Sequence, residues 1–229
     1  MLYSFPSTLV LMAALNEEEG IGPTIVELKQ FLGVCRILVV DGNSHDKTVH
    51  VSKSLGADVI HQVGRGKGDA ISQAIRHINE DVKYIVLIDA DFTYPAVFIP
   101  SMIKILEENP EVGMVCGNRF NSRFHLETMA DSFYFGNRAI AFIHNLLNGL
   151  ELQDPLTGLR VVRWEILKKW NPKSTGFDIE VELNHYVERQ GFMIVEIPIS
   201  YRLRVGEKKL KLRHGFSIFW RIFLEGISS

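Results

Sequence analysis

The residues with the clearest chemical potential are two aspartates, Asp89 and Asp91, which flank Ala90 directly after the apolar run Tyr84–Ile88. Carboxylates at this spacing form an oxygen-rich site that suits Mg²⁺ or Mn²⁺, and such an ion can bridge a diphosphate. The alternative is a turn followed by a helix cap, formed by Asp91 ahead of Pro95. Because Asp-x-Asp is a common tripeptide, its position after a strand carries the argument for a metal site.

Other polar residues also follow apolar runs that are predicted to be strands. Asp41 is placed to accept hydrogen bonds from a base or a ribose, or else to form a turn with Gly42. The segment Gly64–Gly68 could cradle a phosphate with its backbone N–H groups and Lys67, or could be a flexible turn. Its spacing matches neither the Walker A motif nor the dinucleotide-binding fingerprint. The remaining residues of this kind are Asn16, Glu17, Asn118 and Arg119.

These residues can act together only if the fold brings the ends of several strands to one edge. Five short, β-rich apolar runs alternate with helical patterns in the first half of the chain. The predicted strands are Thr8–Ala14, Arg36–Val40, Ala57–His61, Tyr84–Ile88 and Val112–Cys116. The predicted helices are Thr24–Leu32, Thr48–Leu55, Asp69–Ile78 and Phe98–Glu108. Such alternation predicts a mostly parallel sheet whose ligands bind beyond the carboxyl ends of its strands.

The second half of the chain departs from this alternation. We predict a long apolar helix at Ser132–Leu147 and an amphipathic helix at Asp178–Arg189. A strand is predicted at Ile194–Tyr201. Pro198 favours an edge position for that strand. Asp178 and Glu180 open the amphipathic helix, where acidic side chains favour the helix dipole, and we prefer this role to a catalytic one.

The bulk properties limit the class of protein. The chain has 229 residues, 46% of them hydrophobic and 23% charged, which fits one well-filled α/β domain. A net charge of -2 argues against a nucleic-acid binder with a generally basic surface. Cys35 and Cys116 lie in apolar stretches and fit neither a disulfide framework nor a zinc site. With no signal-peptide pattern and no apolar run near the ~20 residues that span a bilayer, we expect a soluble or peripheral protein.

Six short motifs follow one another in a recognisable order. They are Leu15-Asn16-Glu17-Glu18-Glu19, Asp41-Gly42-Asn43-Ser44-His45-Asp46-Lys47-Thr48, Gly66-Lys67-Gly68, Asp89-Ala90-Asp91, Gly117-Asn118-Arg119-Phe120 and Asp154-Pro155-Leu156-Thr157-Gly158-Leu159-Arg160. In this order they resemble the family 2 glycosyltransferases with the GT-A fold. The likeness covers essentially the whole chain and is strongest to the dolichyl- and polyprenyl-phosphate hexosyltransferases, the branch typified by dolichol-phosphate mannosyltransferase.

The resemblance implies an α/β fold with a mostly parallel, Rossmann-like sheet flanked by helices in a single domain, residues 1–229. Within that domain it implies a nucleotide-sugar half at about 1–117 and an acceptor half at about 118–213. A C-terminal amphipathic helix is expected at 214–229.

The resemblance also implies a role for each matching residue. The catalytic residues would be Asp91, Arg119 and Asp154, although Asp154 could equally form the turn before Pro155. The nucleotide sugar would be held by Ala13, Leu15, Glu17, Asp41, Lys67, Asp89, Ala90, Arg204 and Lys209. A Mg²⁺ or Mn²⁺ cofactor would be bound by Asp89, Asp91 and Thr93. The acceptor phosphate would be bound by Arg119, Arg138 and Arg202.

Some positions depart from the family pattern. Leu15 stands where tyrosine is usual, and Lys208 stands where serine is usual. Thr93 stands where the mannosyltransferases commonly use glutamine as a third metal ligand, so the third ligand and the donor sugar stay open. Either Arg202 or Arg204 matches the family arginine that closes over the diphosphate.

The implied activity transfers a hexose, mannose or glucose, from GDP-mannose or UDP-glucose to a dolichyl or polyprenyl phosphate, with inversion at the anomeric carbon. An acceptor phosphate is already ionised near neutral pH, so positioning two anionic substrates matters more than a strong general base. Two rivals stay open. One is a transferase with a soluble small acceptor or a sugar hydroxyl, and the other is an inactive nucleotide-binding or scaffold protein.

The C-terminal segment is first basic and then apolar. From Arg202 to Arg213 there are six cations and one carboxylate. The predicted helix Phe216–Ile227 then carries a broad aromatic face and a narrow polar stripe that contains Arg221. With a lipid acceptor, this pattern favours a peripheral protein at the cytoplasmic face of a membrane with anionic lipid. Otherwise the helix packs on its own domain or forms a homodimer contact.

Overall fold

The computed structural model describes residues 5–78, 82–120, 131–149, 151–207 and 212–227. In this part of the chain the strands form one sheet. They are β1 (Thr8–Ala14), β2 (Arg36–Asp41), β3 (Asp58–His61), β4 (Tyr84–Leu87), β5 (Val112–Asn118), β6 (Arg160–Arg163) and β7 (Met193–Pro198). Their order across the sheet is β3-β2-β1-β4-β6-β5-β7.

Helices connect these strands. They are α1 (Glu18–Leu32), α2 (Thr48–Ser54), α3 (Lys67–His77), α4 (Ile99–Glu108), α5 (Asp131–Asn148), α6 (Trp164–Leu167), α7 (Ile179–Arg189) and α8 (Leu212–Ile227). A short 3₁₀ helix, Ala96–Phe98, precedes α4. Among the helices of the described residues, none has both the length and the hydropathy needed to cross a membrane.

The predicted mostly parallel sheet is confirmed, with one exception that the sequence did not indicate. β1, β2, β3 and β4 pair in parallel, and so do β5 and β7. β6 lies between β4 and β5 and runs antiparallel to both. Its four residues, two valines between arginines, are too short to show the alternation that marks a strand. β7 lies at the edge, as Pro198 predicts.

Both faces of the sheet are covered by helices, which explains why β1 is a continuous apolar run. Val10 and Met12 face a core that also contains the apolar residues of α1 and α4. Leu9 and Leu11 point to the opposite face, where α3 and α7 pack. Each of these four β1 side chains is buried. The result is a three-layer domain in which the strand ends are the accessible part of the sheet.

Helix α1 begins at Glu18, six residues earlier than the predicted start at Thr24. The prediction placed Pro23 outside the helix, but the structure accommodates it within the helix at the cost of one backbone hydrogen bond. The early start brings Gly20 against the loop after β4, where an added Cβ would lie 2.7 Å from the Cα of Asp91. Glycine is therefore required for α1 to approach this loop so closely.

Candidate active site

The predicted site residues lie at one edge of the sheet because the strands that precede them are parallel neighbours. Ala14 at the end of β1 pairs with Asp41 at the end of β2, and β4 lies on the other side of β1. Asp89 and Asp91 follow β4 directly. The carboxyl ends of β1, β2 and β4 thus place the metal-type carboxylates beside the predicted nucleotide residues.

Each of the two metal-type carboxylates is paired with a cation of the protein itself. Lys67 Nζ lies 2.6 Å from Asp89 Oδ1. Arg204 Nη1 lies 2.6 Å from Asp91 Oδ2, and Arg204 also binds Glu17. The loop after β4 therefore carries its negative charge in a fully ion-paired form.

These pairs set the protonation of the site. Burial disfavours the charged form of Lys67, but the carboxylates of Asp89 and Glu180 outweigh burial and raise the pKa of Lys67. Burial would raise the pKa of Asp89, yet Lys67 lowers it below its ordinary value. For Asp91, burial and repulsion by Asp89 raise the pKa, against the hydrogen bond from Thr93 and the charge of Arg204. The two carboxylates thus differ, Asp89 being the more readily ionised.

The donor set fits a Mg²⁺ or Mn²⁺ ion for which the protein supplies only some of the ligands. Asp89 and Asp91 supply carboxylate oxygens on one short loop. Among the described residues, no group of three or more His, Cys, Asp or Glu side chains could hold a metal. Magnesium commonly binds through one or two carboxylates, with substrate phosphates and water completing its shell. A diphosphate would therefore have to supply the remaining ligands.

Thr93 is completely buried, and its side chain is turned toward Asp91. Its hydroxyl donates to Asp91 Oδ1 at 2.6 Å, and its backbone N–H donates to the same oxygen at 3.1 Å. Thr93 thus orients the carboxylate, and its predicted role as a third metal ligand stays a prediction.

The segment Tyr201–Val205 crosses over this loop. The backbone N–H groups of Arg202 and Val205 donate to the carbonyls of Thr93 and Asp91 at 2.9 and 3.2 Å. The side chain of Arg202, however, forms a bidentate pair with Glu27 of α1 at 2.6 and 2.8 Å. The structure therefore does not bring Arg202 to the acceptor, and Arg204 is the arginine of this segment that enters the site. Lys209 lies outside the described residues.

The nucleotide end of the site is built by two interlocked loops. Asp41 is 1% exposed and accepts the backbone N–H groups of Asn43 and Ser44 at 3.1 and 3.2 Å. His61 Nδ1 lies 3.3 Å from the same carboxylate. The turn-forming role of Asp41 is therefore present, and its contact with a nucleotide stays a prediction.

The residues before α1 form the facing wall of this end. The N–H groups of Asn16 and Glu17 donate to the hydroxyls of Ser44 and Thr48 at 2.9 and 2.8 Å. Leu15 is exposed and Ala13 is half-buried, so both border solvent beside these loops. The predicted contacts of Leu15 and Ala13 with a nucleotide stay predictions.

The end of the glycine-rich turn is held by bonds within the protein, and the role of the turn as a phosphate cradle stays a prediction. The N–H groups of Gly68 and Asp69 donate to the carbonyl of Thr175 at 3.0 and 3.2 Å, so they are not available to a phosphate. A Cβ on Gly66 or Gly68 would collide with the carbonyls of Thr175 and Ser174. The glycines permit this close packing, and Lys67 is the residue of the turn that reaches the site.

The predicted acceptor side contains one buried ion pair. Arg119 Nε and Nη2 donate to the two carboxylate oxygens of Asp154, each at 2.7 Å, and the Arg119 backbone N–H adds a third bond at 3.0 Å. The guanidinium also lies over the ring of Tyr201 at 5.3 Å. Because Arg119 engages both oxygens of Asp154, this geometry favours a role for Asp154 in positioning Arg119, and its predicted catalytic role stays a prediction. Arg138 is exposed on α5.

Two residues of this region were not predicted. Glu196 of β7 accepts the backbone N–H groups of Gln153 and Asp154, each at 2.7 Å, and so fixes the loop that holds Arg119. Glu180 Oε1 lies 2.6 Å from Lys67 Nζ, although its place in the first turn of α7 favoured a dipole role. Neither residue has a local sequence signal, since each depends on a partner more than 40 positions away in the chain.

Comparisons with known proteins find similar sequences. The model of the family described as glycosyl transferase family 2 matches residues 9–170. A dolichyl-phosphate hexose transferase of Haloferax volcanii is 33% identical over 211 residues, which are 91% of this chain and 88% of that protein. Glycosyltransferase AglJ of the same organism is 30% identical over 223 residues, covering 93% of this chain and 70% of AglJ.

A solved structure gives the fold comparison. Glucosyl-3-phosphoglycerate synthase from Mycobacterium tuberculosis, in complex with Mn²⁺, UDP-glucose and phosphoglyceric acid, matches with a TM-score of 0.73 at 21% identity. The match covers 96% of this chain and 78% of that chain. At this identity the likeness shows the fold.

Proposed function

The chain belongs to glycosyl transferase family 2, and from this premise we propose that it transfers a hexose from a nucleotide-diphosphate sugar to a dolichyl or polyprenyl phosphate. The donor is GDP-mannose or UDP-glucose, and transfer inverts the anomeric carbon. The reaction depends on Mg²⁺ or Mn²⁺, bound by Asp89 and Asp91 together with the diphosphate.

The observation that carries the lipid acceptor is the orientation of α8. Its aromatic side chains face solvent, and two apolar residues of α5, the helix packed against it, do the same. We call this surface the α5–α8 face: Phe142, Leu146, Phe216, Phe219, Trp220, Phe223 and Ile227. Several large apolar side chains exposed on two packed helices indicate an interaction site.

Arg221 and Glu225 of α8 point inward. Arg221 Nε lies 3.3 Å from Oδ2 of Asp178, which directly precedes α7, and Glu225 pairs with Arg189 at 3.0 Å. The inward side of α8 thus carries these charges beside the buried Ile218 and Ile222, while its aromatic side faces solvent. Asp178 adjoins the first turn of α7, where Glu180 meets Lys67, so α7 links Arg221 of α8 to the site.

In this proposal, different residues of the chain act on the leaving group and on the nucleophile. A bound divalent ion would act as a Lewis acid on the diphosphate. Arg204 can exchange its bond to Asp91 for a bond to the departing diphosphate and so offset the developing charge. Arg119, held by Asp154, can bind the acceptor phosphate and hold it in line with the anomeric carbon. No residue needs to remove a proton, because the attacking oxygen belongs to an ionised phosphate.

The test is transfer of label from radioactive UDP-glucose or GDP-mannose to polyprenyl phosphate in detergent, with Mn²⁺ or with EDTA. We expect organic-extractable label with Mn²⁺ and none with EDTA. Phosphoglycerate serves as a parallel acceptor, because the structural neighbour binds phosphoglyceric acid. Label in phosphoglycerate alone would replace the lipid with a soluble acceptor. Nucleotide binding without transfer to either acceptor would leave the scaffold hypothesis.

We further propose that the α5–α8 face docks on a membrane surface, which places the enzyme peripherally at the cytoplasmic face. Wild-type protein should sediment with vesicles that contain phosphatidylglycerol. The double variant Phe219→Ser, Trp220→Ser should not, whereas Val26→Ser, which alters an equally exposed apolar residue on α1, should bind normally. If the double variant instead turns a dimer into a monomer and vesicles bind neither protein, the face is a homodimer contact.

A further inference from the structure

Glu180 is a buried carboxylate of which only one oxygen is used. The residue is 7% exposed, and its Oε1 pairs with Lys67 Nζ at 2.6 Å. Its Oε2 is buried and has no hydrogen-bond partner. A charged acceptor that is removed from water without a partner is unfavourable. Such a group points to a donor from outside the protein, which can be a ligand or a bound water.

The position of Glu180 identifies the part of the ligand that it would meet. The ammonium of Lys67 is shared between Glu180 and Asp89, so one cation alone separates Glu180 from the metal-type carboxylate. Ala13, Lys67, Gly158 and Glu180 also line one pocket, together with apolar side chains that include Trp170. Asp89 lies against Gly158, where an added Cβ would collide with the carboxylate. The pocket therefore opens beside the predicted diphosphate site.

We infer that Glu180 is a specificity residue for the donor sugar and that its Oε2 accepts a hydrogen bond from a hydroxyl group of the hexose. This inference rests on the proposed function in one respect only, that the ligand is a nucleotide-diphosphate sugar. A hexose attached to the diphosphate lies next to the metal-type carboxylates, and its ring carries several hydroxyl donors. One of them satisfies the buried oxygen.

Glu180 also bonds to Lys67. The experiment must therefore distinguish the effect of that bond on binding from the effect of a contact with the sugar. Glu180→Gln keeps the shape of the side chain, and its single amide oxygen can still accept from Lys67. It no longer offers a second, charged acceptor to the sugar. Nucleoside diphosphates carry no hexose, so their binding reports on Lys67 and the diphosphate alone.

The experiment is calorimetric titration, with Mn²⁺ present, of UDP, UDP-glucose, GDP and GDP-mannose into wild type and Glu180→Gln. Glu165→Gln is the control, because Glu165 also opens a helix but is exposed. For the donor that wild type prefers, we expect Glu180→Gln to weaken binding roughly 10- to 100-fold, the effect of one hydrogen bond to a charged group. The matching nucleoside diphosphate should change by less than about threefold.

A second measurement does not depend on the variant folding. Donors that lack one hexose hydroxyl are titrated into wild type, and one of them should lose a similar factor. Equal weakening of nucleotide and nucleotide sugar by Glu180→Gln would assign Glu180 to Lys67 alone and overturn the inference. So would a deoxy series in which every donor binds wild type as well as the parent. If wild type binds no nucleotide sugar, both the inference and the proposed function are wrong. If wild type binds the donor but transfers no hexose to the lipid, the proposed function is wrong and the inference still holds.

Discussion

The loop after β4 and the α5–α8 face differ in where their charged side chains lie. In the loop, the acidic side chains meet internal cations, Lys67 and Arg204, that a metal and a diphosphate can replace. On the α5–α8 face, the charges of α8 turn toward α7 and leave aromatic side chains in solvent. The first region is prepared for a charged ligand and the second for an apolar one. An enzyme that transfers a hexose from a nucleotide sugar to a lipid phosphate needs both surfaces.

The largest effect is expected from breaking the charged region at Asp91. Asp91→Asn keeps the side-chain shape but removes the charge that a divalent ion requires. We expect metal-dependent nucleotide binding to disappear and transfer to fall on the order of 10³-fold. Calorimetry with and without Mn²⁺ measures the first effect and the label assay the second.

The control is Asp58→Asn, which changes an exposed aspartate paired with Arg36. This variant should transfer normally. Full activity of Asp91→Asn would contradict the assignment of the metal site.

The acceptor side offers a smaller and more selective change at Arg119. Arg119→Lys keeps the charge but loses the planar fork that now binds Asp154. We expect the KM for polyprenyl phosphate to rise roughly 10- to 100-fold, because bonds to charged groups are lost. Donor affinity should stay within a factor of about two.

Asp154→Asn should shift the KM for the lipid in the same direction, since Asp154 positions the guanidinium. Loss of donor binding in Arg119→Lys would show that the arginine serves the diphosphate instead. A lower melting temperature with an unchanged KM would reduce the pair to a structural role.

The charged region could be predicted from the sequence more completely than the apolar one. Asp89 and Asp91 are local to one strand end, so the apolar run before them was enough to place them. Their partners are not local: Arg204 is 113 positions from Asp91 in the chain. The sequence therefore predicted the acids but left the choice between Arg202 and Arg204 open. That choice depends on Glu27, which draws Arg202 away.

For α8 the sequence predicted the two faces of the helix but not their direction. Helical periodicity separates aromatic from polar positions without showing which side meets the protein. The acidic residues Asp178 and Glu182 on α7 decide it, because Arg221 lies near both. The carboxylates near the start of α7 are thus partners of a distant helix as well as groups that favour the helix dipole.

Beneath the α5–α8 face, two histidines make the apolar region sensitive to acid. The rings of His144 on α5 and His185 on α7 lie 5.2 Å apart and are buried. Burial lowers the pKa of His144 to about 4, with Arg160 acting in the same direction. Burial also lowers the pKa of His185 to about 3, helped by His144 and Arg189.

Because the folded-state pKa values lie below the ordinary value of about 6.5, the unfolded chain binds more protons as the pH falls. Stability should therefore be lost below pH 6.5, by about 2 kcal/mol for each histidine between pH 7 and pH 5. Urea unfolding at both pH values measures this loss, and His185→Gln should reduce it. An equal loss in wild type and in His185→Gln would show that other groups carry the acid sensitivity.

The smallest effect is expected from the pairs that anchor α8. Arg221 lies 3.3 to 3.8 Å from the carboxylates of Asp178, Glu182 and Glu225, and its side chain is 14% exposed. These distances are long, so Arg221→Met should cost about 1 kcal/mol in thermal unfolding, and less at high salt. Arg36→Met, which removes an exposed pair with Asp58, should cost close to nothing. Because the charges of α8 direct its apolar side outward, Arg221→Met should also weaken vesicle binding. Unchanged vesicle binding together with lowered stability would show that Ile218 and Ile222, packed on Val181, orient the helix without the charges.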